Sequence, residues 1–285
     1  MSEQAVAAKA DMEAIRPINV VTWKDKLAAY KKRPLSMFLL MAVTVSAVIT
    51  VGVLGALVIY ILANGIMNLS PELFAWKYTT ENVSMLPAII NTFLMTALSL
   101  LIAVPIGICS AIYLVEYAKR GNKLVSIVRI TTETLSGIPS IVYGLFGYLM
   151  FVIAFGWGLS FFGGALTLSI MVLPTIMRTT EEALLSVPDS YREGSFGLGA
   201  GKLRTVFRAV LPSAVPGILS GVILSIGRIV GETAALIFTA GTVAAVPKVN
   251  AGIKGFFGSS VRTLSVHMYN LSLIHISEPT RPRLI

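Results

Sequence analysis

An all-α, multi-pass membrane protein is what this sequence predicts, on three observations. Its 285 residues are 55% apolar and only 13% charged, with a mean hydropathy of +0.80, whereas soluble domains carry about a quarter charged residues. The apolar residues gather into runs of membrane-spanning length, for which roughly 20 are needed. The lysines and arginines lie in short blocks between those runs. That last point also sets aside nucleic acid as a partner, despite the net charge of +9, because the basic residues do not gather on one folded face.

Residues 1–36 read as a cytoplasmic leader, either a polar tail or a short surface helix. The first span is residues 37–63, too long for the 7–15-residue apolar core of a cleavable signal. Four more follow at 89–115, 138–156, 159–177 and 214–238. The third and fourth form one uncharged block, split by a turn at Gly156, Trp157 and Gly158.

Basic residues accumulate on the cytoplasmic side. The leader holds Lys9, Arg16, Lys24, Lys26, Lys31, Lys32 and Arg33. The loop after span one holds only Lys77. The loop after span two holds Lys119, Arg120, Lys123 and Arg129, and the loop after span four holds Arg178, Arg192, Lys202, Arg204 and Arg208. The N-terminus and the loop 181–212 are therefore expected inside.

Within that loop, Pro188 suits the first turn of a helix, and Asp189 lies near its positive end. Val187, Tyr191, Ser195 and Leu198 share a face by helical spacing, and Gly199 is a natural stop. About eleven residues cannot hold a helix alone, so a partner or the membrane domain must support it. A second amphipathic piece, with the stripe Leu203, Val206, Phe207 and Val210, is expected to lie at the lipid interface and lead through Pro212 into span five. The plainer reading of the whole loop is a solvated connector held by lipid headgroups.

Span five carries Arg228 and Glu232. A charge at mid-bilayer is costly, so the pair needs a reason. Gly217, Gly221, Ser225, Arg228 and Glu232 fall along one helical face. Gly217 with Gly221, and Gly227 with Gly231, are spaced to let helices approach closely. Two readings stand: an intrahelical ion pair four residues apart that only orients the span, or an arginine facing a pathway with Glu232 holding it. Bidentate hydrogen bonding makes arginine suited to an oxyanion.

The loop resembles the "EAA" loop of permease subunits of bacterial ABC importers. The pattern Glu-Ala-Ala, three residues, Gly, nine residues, Ile, one residue, Leu-Pro maps onto Glu193, Gly194 and Ser195, then Gly199, Ala209, and Leu211 with Pro212. Gly194, Ser195 and Ala209 depart from the commonest residues but stay small. From about residue 89 to 270 the chain is most similar to PstA-type permeases of phosphate importers. The segments SGIPSIVYGLFG (136–147), LPTIMRTTEEAL (173–184), GRIVGETAAL (227–236) and VHMYN (266–270) carry that resemblance.

The resemblance implies an ABC importer type I permease bundle of six spans, five of them present here. It also implies a permease core at 85–270 whose loop 181–212 is a coupling element. Glu193, Gly194, Ser195, Gly199 and Tyr191 would face the ATPase, and Arg228 and Glu232 the anion path. It implies ATPase subunits, a second, PstC-type permease, an extracytoplasmic phosphate-binding protein and membrane lipid as partners. It further implies a bacterial inner-membrane location and no catalytic residues in this chain. The alternatives are a permease for sulfate or molybdate, the PstC-type partner itself, and, from another class, a secondary transporter or a membrane scaffold.

No cofactor is expected. There is no Gly-x-x-x-x-Gly-Lys-Ser/Thr nucleotide loop, and His267 and His275 lack metal-ligand companions. Cys109 reads as a packing residue, and Asn91 as an interhelical hydrogen bond. Pro105, Pro139 and Pro174 are expected to kink spans or mark their ends, and Gly144 and Gly147 to permit close packing. Residues 271–281 read LSLIHISEPTR, similar to the in-frame translation of a transposon-end sequencing adapter. The expectation is that 271–285 is a non-native tail and that the natural protein continues into a sixth span.

Overall fold

A computed structural model describes residues 33–67, 69–79, 82–119, 121–247 and 252–277. The described residues are helical with no strand. The chain divides into two units, one up to Leu69 and one from Ser70. The first unit is α1 (Pro34–Met67), an apolar helix that buries none of its residues. Most of the leader lies outside the described residues.

The second unit holds the other helices: α2 (Leu86–Ile112), α3 (Lys123–Ser136), α4 (Ser140–Gly147), α5 (Phe161–Leu185), α6 (Asp189–Gly197), α7 (Lys202–Thr205), α8 (Leu211–Gly231), α9 (Ala234–Thr239), α10 (Gly252–Gly258) and α11 (Leu264–Ser277). Three of them continue through a widened π-helical turn: α2 through Tyr113–Tyr117, α4 through Tyr148–Ala154, and α7 through Val206–Val210 into α8. The last has a local cause. Pro212 has no N–H, and its ring would clash with the carbonyl four residues back. The helix widens, and Leu211 N–H reaches Val206 O.

α5 is the central helix. Phe161, Leu168, Met171, Val172 and Ile176 are buried with Met95 of α2 and Leu236 of α9. Towards its C-terminus, Leu184 joins a second cluster with Ala111, Val187, Val206, Val210 and Ala214. Close approach needs small residues at the crossings. A Cβ on Gly107 would lie 2.8 Å from Ile176 Cγ2, and one on Gly217 would lie 2.6 Å from Ala183 Cβ. Gly144 and Gly147 do the same for α4 against Ala235 and Thr167. Polar ties reinforce the α2–α5 contact: Ser99 Oγ donates to Ala165 O and Ser169 Oγ to Ser99 O, each at 3.1 Å.

Among the described residues, four helices are long and apolar enough to cross a membrane, or five if a bent pair counts as one span. Several sequence expectations are corrected here. The third span is not a straight helix over 138–156. It is the second arm of a pair bent by 104°, with Pro139 at the break. The first arm, α3, occupies what the charge pattern gave to a loop. The fourth span runs past residue 177 to Leu185, so the loop proper starts at Ser186. The fifth does not run through to 238: it breaks at Glu232 and Thr233, before α9. The amphipathic piece after Gly201 is no separate interfacial helix but the start of a continuous 30-residue helix, Lys202–Gly231. Cys109 is exposed rather than packed.

The turn at Gly156 and Gly158 is present, with φ of +66° and +67°. Pro105 and Pro174 lie inside α2 and α5. α11 continues past Asn270 to Ser277, and residues 278–285 lie outside the described residues.

Candidate functional site

α6 is a nine-residue helix between two short connections. Pro188 stands just before it as the N-cap, not inside its first turn. At its other end Leu198 N–H bonds Gly194 O, Gly199 N–H bonds Phe196 O, and Gly199 takes φ +79°. That left-handed stop favours glycine.

The face expected from spacing alone is only partly the buried one. Val187 is buried and Ser195 half-buried, with the Ser195 hydroxyl 2.8 Å from that of Thr205, which is buried on α7. Tyr191 and Leu198 instead point outward, 53% and 90% exposed, beside exposed Phe196. Glu193 and Gly194 are also exposed. Of the second stripe, Val206 and Val210 are buried, while Leu203 and Phe207 are exposed. The outer surface of this region is therefore polar and apolar in alternation, with nothing among the described residues covering it.

The residue that fixes α6 was missed by sequence reasoning. Arg192 Nη2 and Nε donate to Glu116 Oε1 at 2.7 and 3.1 Å. Nη2 also reaches Leu184 O at 3.0 Å, and Nη1 reaches Val187 O at 2.8 Å and Asp189 Oδ1 at 3.2 Å. The available signal was an arginine one turn into a helix whose stripe it did not match. Next to it, Lys202 Nζ stands 5.1 Å over the Tyr117 ring. A cavity of about 1060 Å³, lined by Glu116, Lys123, Arg129 and Arg192 among others, separates α6 from α3. On its far side Arg129 pairs with Glu181, tying α3 to α5.

The second group of expected residues lies at the α8–α9 break. Arg228 and Glu232 are not brought together: no ion pair joins them. Glu232 is the C-cap of α8 with extended backbone (ψ 125°), and its Oε1 accepts from Ala235 N–H at 3.1 Å. Its own carbonyl accepts from Ser265 Oγ at 2.6 Å. The Glu232 carboxylate turns to the start of α9 instead of to Arg228. Arg228 is half-buried and within electrostatic reach of Tyr143, whose hydroxyl donates to Leu135 O. Gly217 and Gly221 pack against Ala183 and Thr179 of α5, so that part of the small-residue face is an intrachain contact. A Cβ on Gly227 or Gly231 would meet nothing within 4 Å among the described residues, so only the first pair brings helices of this chain together.

A third polar group lies around the N-terminus of α11. Asn91 donates to Ala245 O and Arg262 O; both acceptors lie outside helices, so it ties α2 to the segments after α9 and before α11 and not, as expected, to another helix. Arg262 stacks on the Tyr78 ring at 4.4 Å, and buried His267 meets the same ring edge-on. Burial and then the Arg262 charge hold the His267 imidazole below its usual range, with the Val83 backbone opposing them. No group of three or more His, Cys, Asp or Glu among the described residues could hold a metal ion.

Residues 103–253 match the family model of the binding-protein-dependent transport system inner membrane component. The chain belongs to this family. It is 36% identical over 263 residues to YqgI of Bacillus subtilis (strain 168), a probable ABC transporter permease protein, covering 87% of this chain and 83% of YqgI. It is 40% identical over 154 residues to phosphate transport system permease protein PstA 1 of Mycobacterium tuberculosis (strain CDC 1551 / Oshkosh), covering 54% of this chain and 50% of that one. It is 41% identical over 186 residues to PstA of Pasteurella multocida (strain Pm70), covering 63% and 64%. The chain thus spans about half to two thirds of these PstA proteins. Among solved structures, the inward-facing MetNI methionine ABC transporter aligns with a TM-score of 0.44 at 20% identity, over 67% of this chain and 87% of that one. The PstA-type likeness read from the sequence stands, and the protein is a multi-pass permease subunit of an ABC importer in the inner membrane.

Proposed function

We propose that this chain is a permease subunit through which inorganic phosphate is imported at the expense of ATP hydrolysed by separate subunits. Its N-terminus and α6 face the cytoplasm. A second, PstC-type permease completes the pathway, and an extracytoplasmic binding protein delivers the anion. α6 and its stop dock on the ATPase through Tyr191, Glu193, Gly194, Phe196, Leu198 and Gly199.

The observation that carries the docking is the outward face of α6: Tyr191, Phe196 and Leu198 are exposed on a helix whose inner side is fully engaged by its own chain. Short helices depend on packing for stability, and this one leaves its outer side free for a partner. Phosphate is supported by the PstA relatives at 40 and 41% identity, and by Arg228, a half-buried arginine with no carboxylate paired to it. Ser195, by contrast, faces inward to Thr205 and supports α6 rather than touching the ATPase.

The test is reconstitution with ATPase, second-permease and phosphate-binding-protein subunits from the same organism. Phosphate uptake into proteoliposomes that requires internal ATP, and that excess sulfate and molybdate leave intact, is the expected result. Uptake suppressed by sulfate or molybdate would assign the other oxyanions. Uptake without ATP would assign a secondary transporter.

A further inference from the structure

We propose that Arg192 is the positioning residue that makes α6 move as one piece with α2 and α5, so that a push on α6 reaches the spans instead of being lost in its connection. The inference rests on the importer reading above and concerns a residue outside the spacing that marks the loop.

A guanidinium carries five N–H donors in a fixed planar fork. The structure gives Arg192 five hydrogen bonds, to acceptors on three elements: Glu116 in the turn that ends α2, Leu184 O and Val187 O at the end of α5, and Asp189 in the first turn of α6. The side chains of Arg192 and Glu116 are 15% and 8% exposed. Charge-assisted bonds of this kind, shielded from water, are stronger than neutral ones. The two carbonyls belong to the last turn of α5 and its exit, where helix geometry supplies fewer donors; Leu184 O takes the guanidinium in addition to Val187 N–H. One side chain therefore closes the end of α5, neutralises a buried carboxylate on α2, and anchors the start of α6.

The connection it bridges is residues 186–188, ending at Pro188. Without the anchor α6 could pivot there, because the cavity on its α3 side offers it no support. With the anchor, a displacement of α6 acts directly on the ends of α2 and α5. Those helices are joined along their length by Gly107 against Ile176 and by the Ser99 and Ser169 hydrogen bonds, so they carry the displacement together. Lysine cannot substitute: its three donors radiate from one atom and cannot reach acceptors spread around a plane.

The experiment uses the assembled importer. Arg192→Lys and Glu116→Gln, each in the full complex, should still co-purify with the ATPase, since Ser195 and Thr205 still tie α6 to α7. Phosphate moved per ATP hydrolysed should fall at least tenfold. Amide hydrogen exchange over residues 189–197 should speed up at least tenfold, with α5 above Leu184 unchanged. Variants that assemble with an unchanged transport-to-hydrolysis ratio and unchanged exchange overturn the inference and leave the importer reading standing. Poor assembly of both variants, with the ratio of the surviving complex unchanged, assigns Arg192 to folding alone and overturns it as well. A wild-type chain that never captures an ATPase overturns the importer reading, and this inference with it.

Discussion

Glu232 accepts a hydrogen bond from the Ala235 backbone at 3.1 Å. Its carboxylate thereby sits at the start of α9, where negative charge is favoured, and is not spent on Arg228. The two charges of span five are not partners, and mutation can tell them apart.

Arg228→Gln should abolish phosphate uptake while leaving the complex assembled. Adding Glu232→Gln should not restore it, because the two side chains are not partners in this structure. Uptake assays on both variants decide this, and recovery in the double mutant would restore the ion-pair reading.

Glu232→Ala removes the acceptor from a buried backbone N–H. Leaving such a donor unpaired costs about 1–3 kcal/mol. The expected outcome is a lower midpoint of thermal unfolding in detergent, with Glu232→Gln, which keeps an acceptor oxygen, falling less than the alanine variant.

Gly217 and Gly221 separate from Gly227 and Gly231 in the same way. Gly217→Val must push against Ala183 on the neighbouring helix, and overpacking of that kind costs about 1–3 kcal/mol. Gly231→Ala meets open space and should leave the melting midpoint of the isolated chain almost unchanged. Equal shifts for the two would contradict the packing described.

Leu198 is 90% exposed, so Leu198→Glu should alter the stability of the chain by no more than about 0.5 kcal/mol. If the outer face of α6 docks the ATPase, the same change should lower ATPase recovered in a pull-down at least tenfold. Glu193→Lys should act in the same direction, and Gly199→Pro should too, by destroying the φ +79° stop.

His267 supplies a pH dependence. Its imidazole is held below the ordinary value by burial first and by Arg262 second. An unfolded chain binds a proton near pH 6.5 that the folded chain resists. Stability is therefore present above that pH and lost as the pH falls through it towards the lower folded value. The melting midpoint should be lower at about pH 5.5 than at about pH 7.5, and His267→Gln should shrink the difference.

The runs of apolar residues were legible because a bilayer imposes one length on every span. The Gly199 stop and the Gly156–Gly158 turn were legible because few residues tolerate those backbone angles. What misled was spacing. Of the stripe Leu203, Val206, Phe207 and Val210, the two valines at the ends of the widened turn are buried, while Phe207 and Leu203 are exposed, so equal spacing in sequence did not give one buried face. The Arg228–Glu232 pairing failed because spacing reports only which side chains could meet: Glu232 caps α8, and its carboxylate accepts from Ala235 N–H at the start of α9 instead. Arg192 was invisible because its partners lie on α2 and at the end of α5, and no local spacing reports a partner 76 positions away.

The widened turn also gives the helix that contains it a point of slack. A residue advances an α-helix by about 100°, and a π turn accommodates one more residue than an α turn. A single residue deleted inside Val206–Val210 is therefore absorbed: the widened turn closes to an ordinary α turn, and Gly217 and Gly221 stay on α5. A residue deleted between that turn and Gly217 has no such slack and would rotate everything beyond it by about 100° relative to α7, carrying Gly217 and Gly221 off α5. The widened turn is where this helix tolerates a change of length without a change of angular register between the part nearest α6 and the part that bears Arg228.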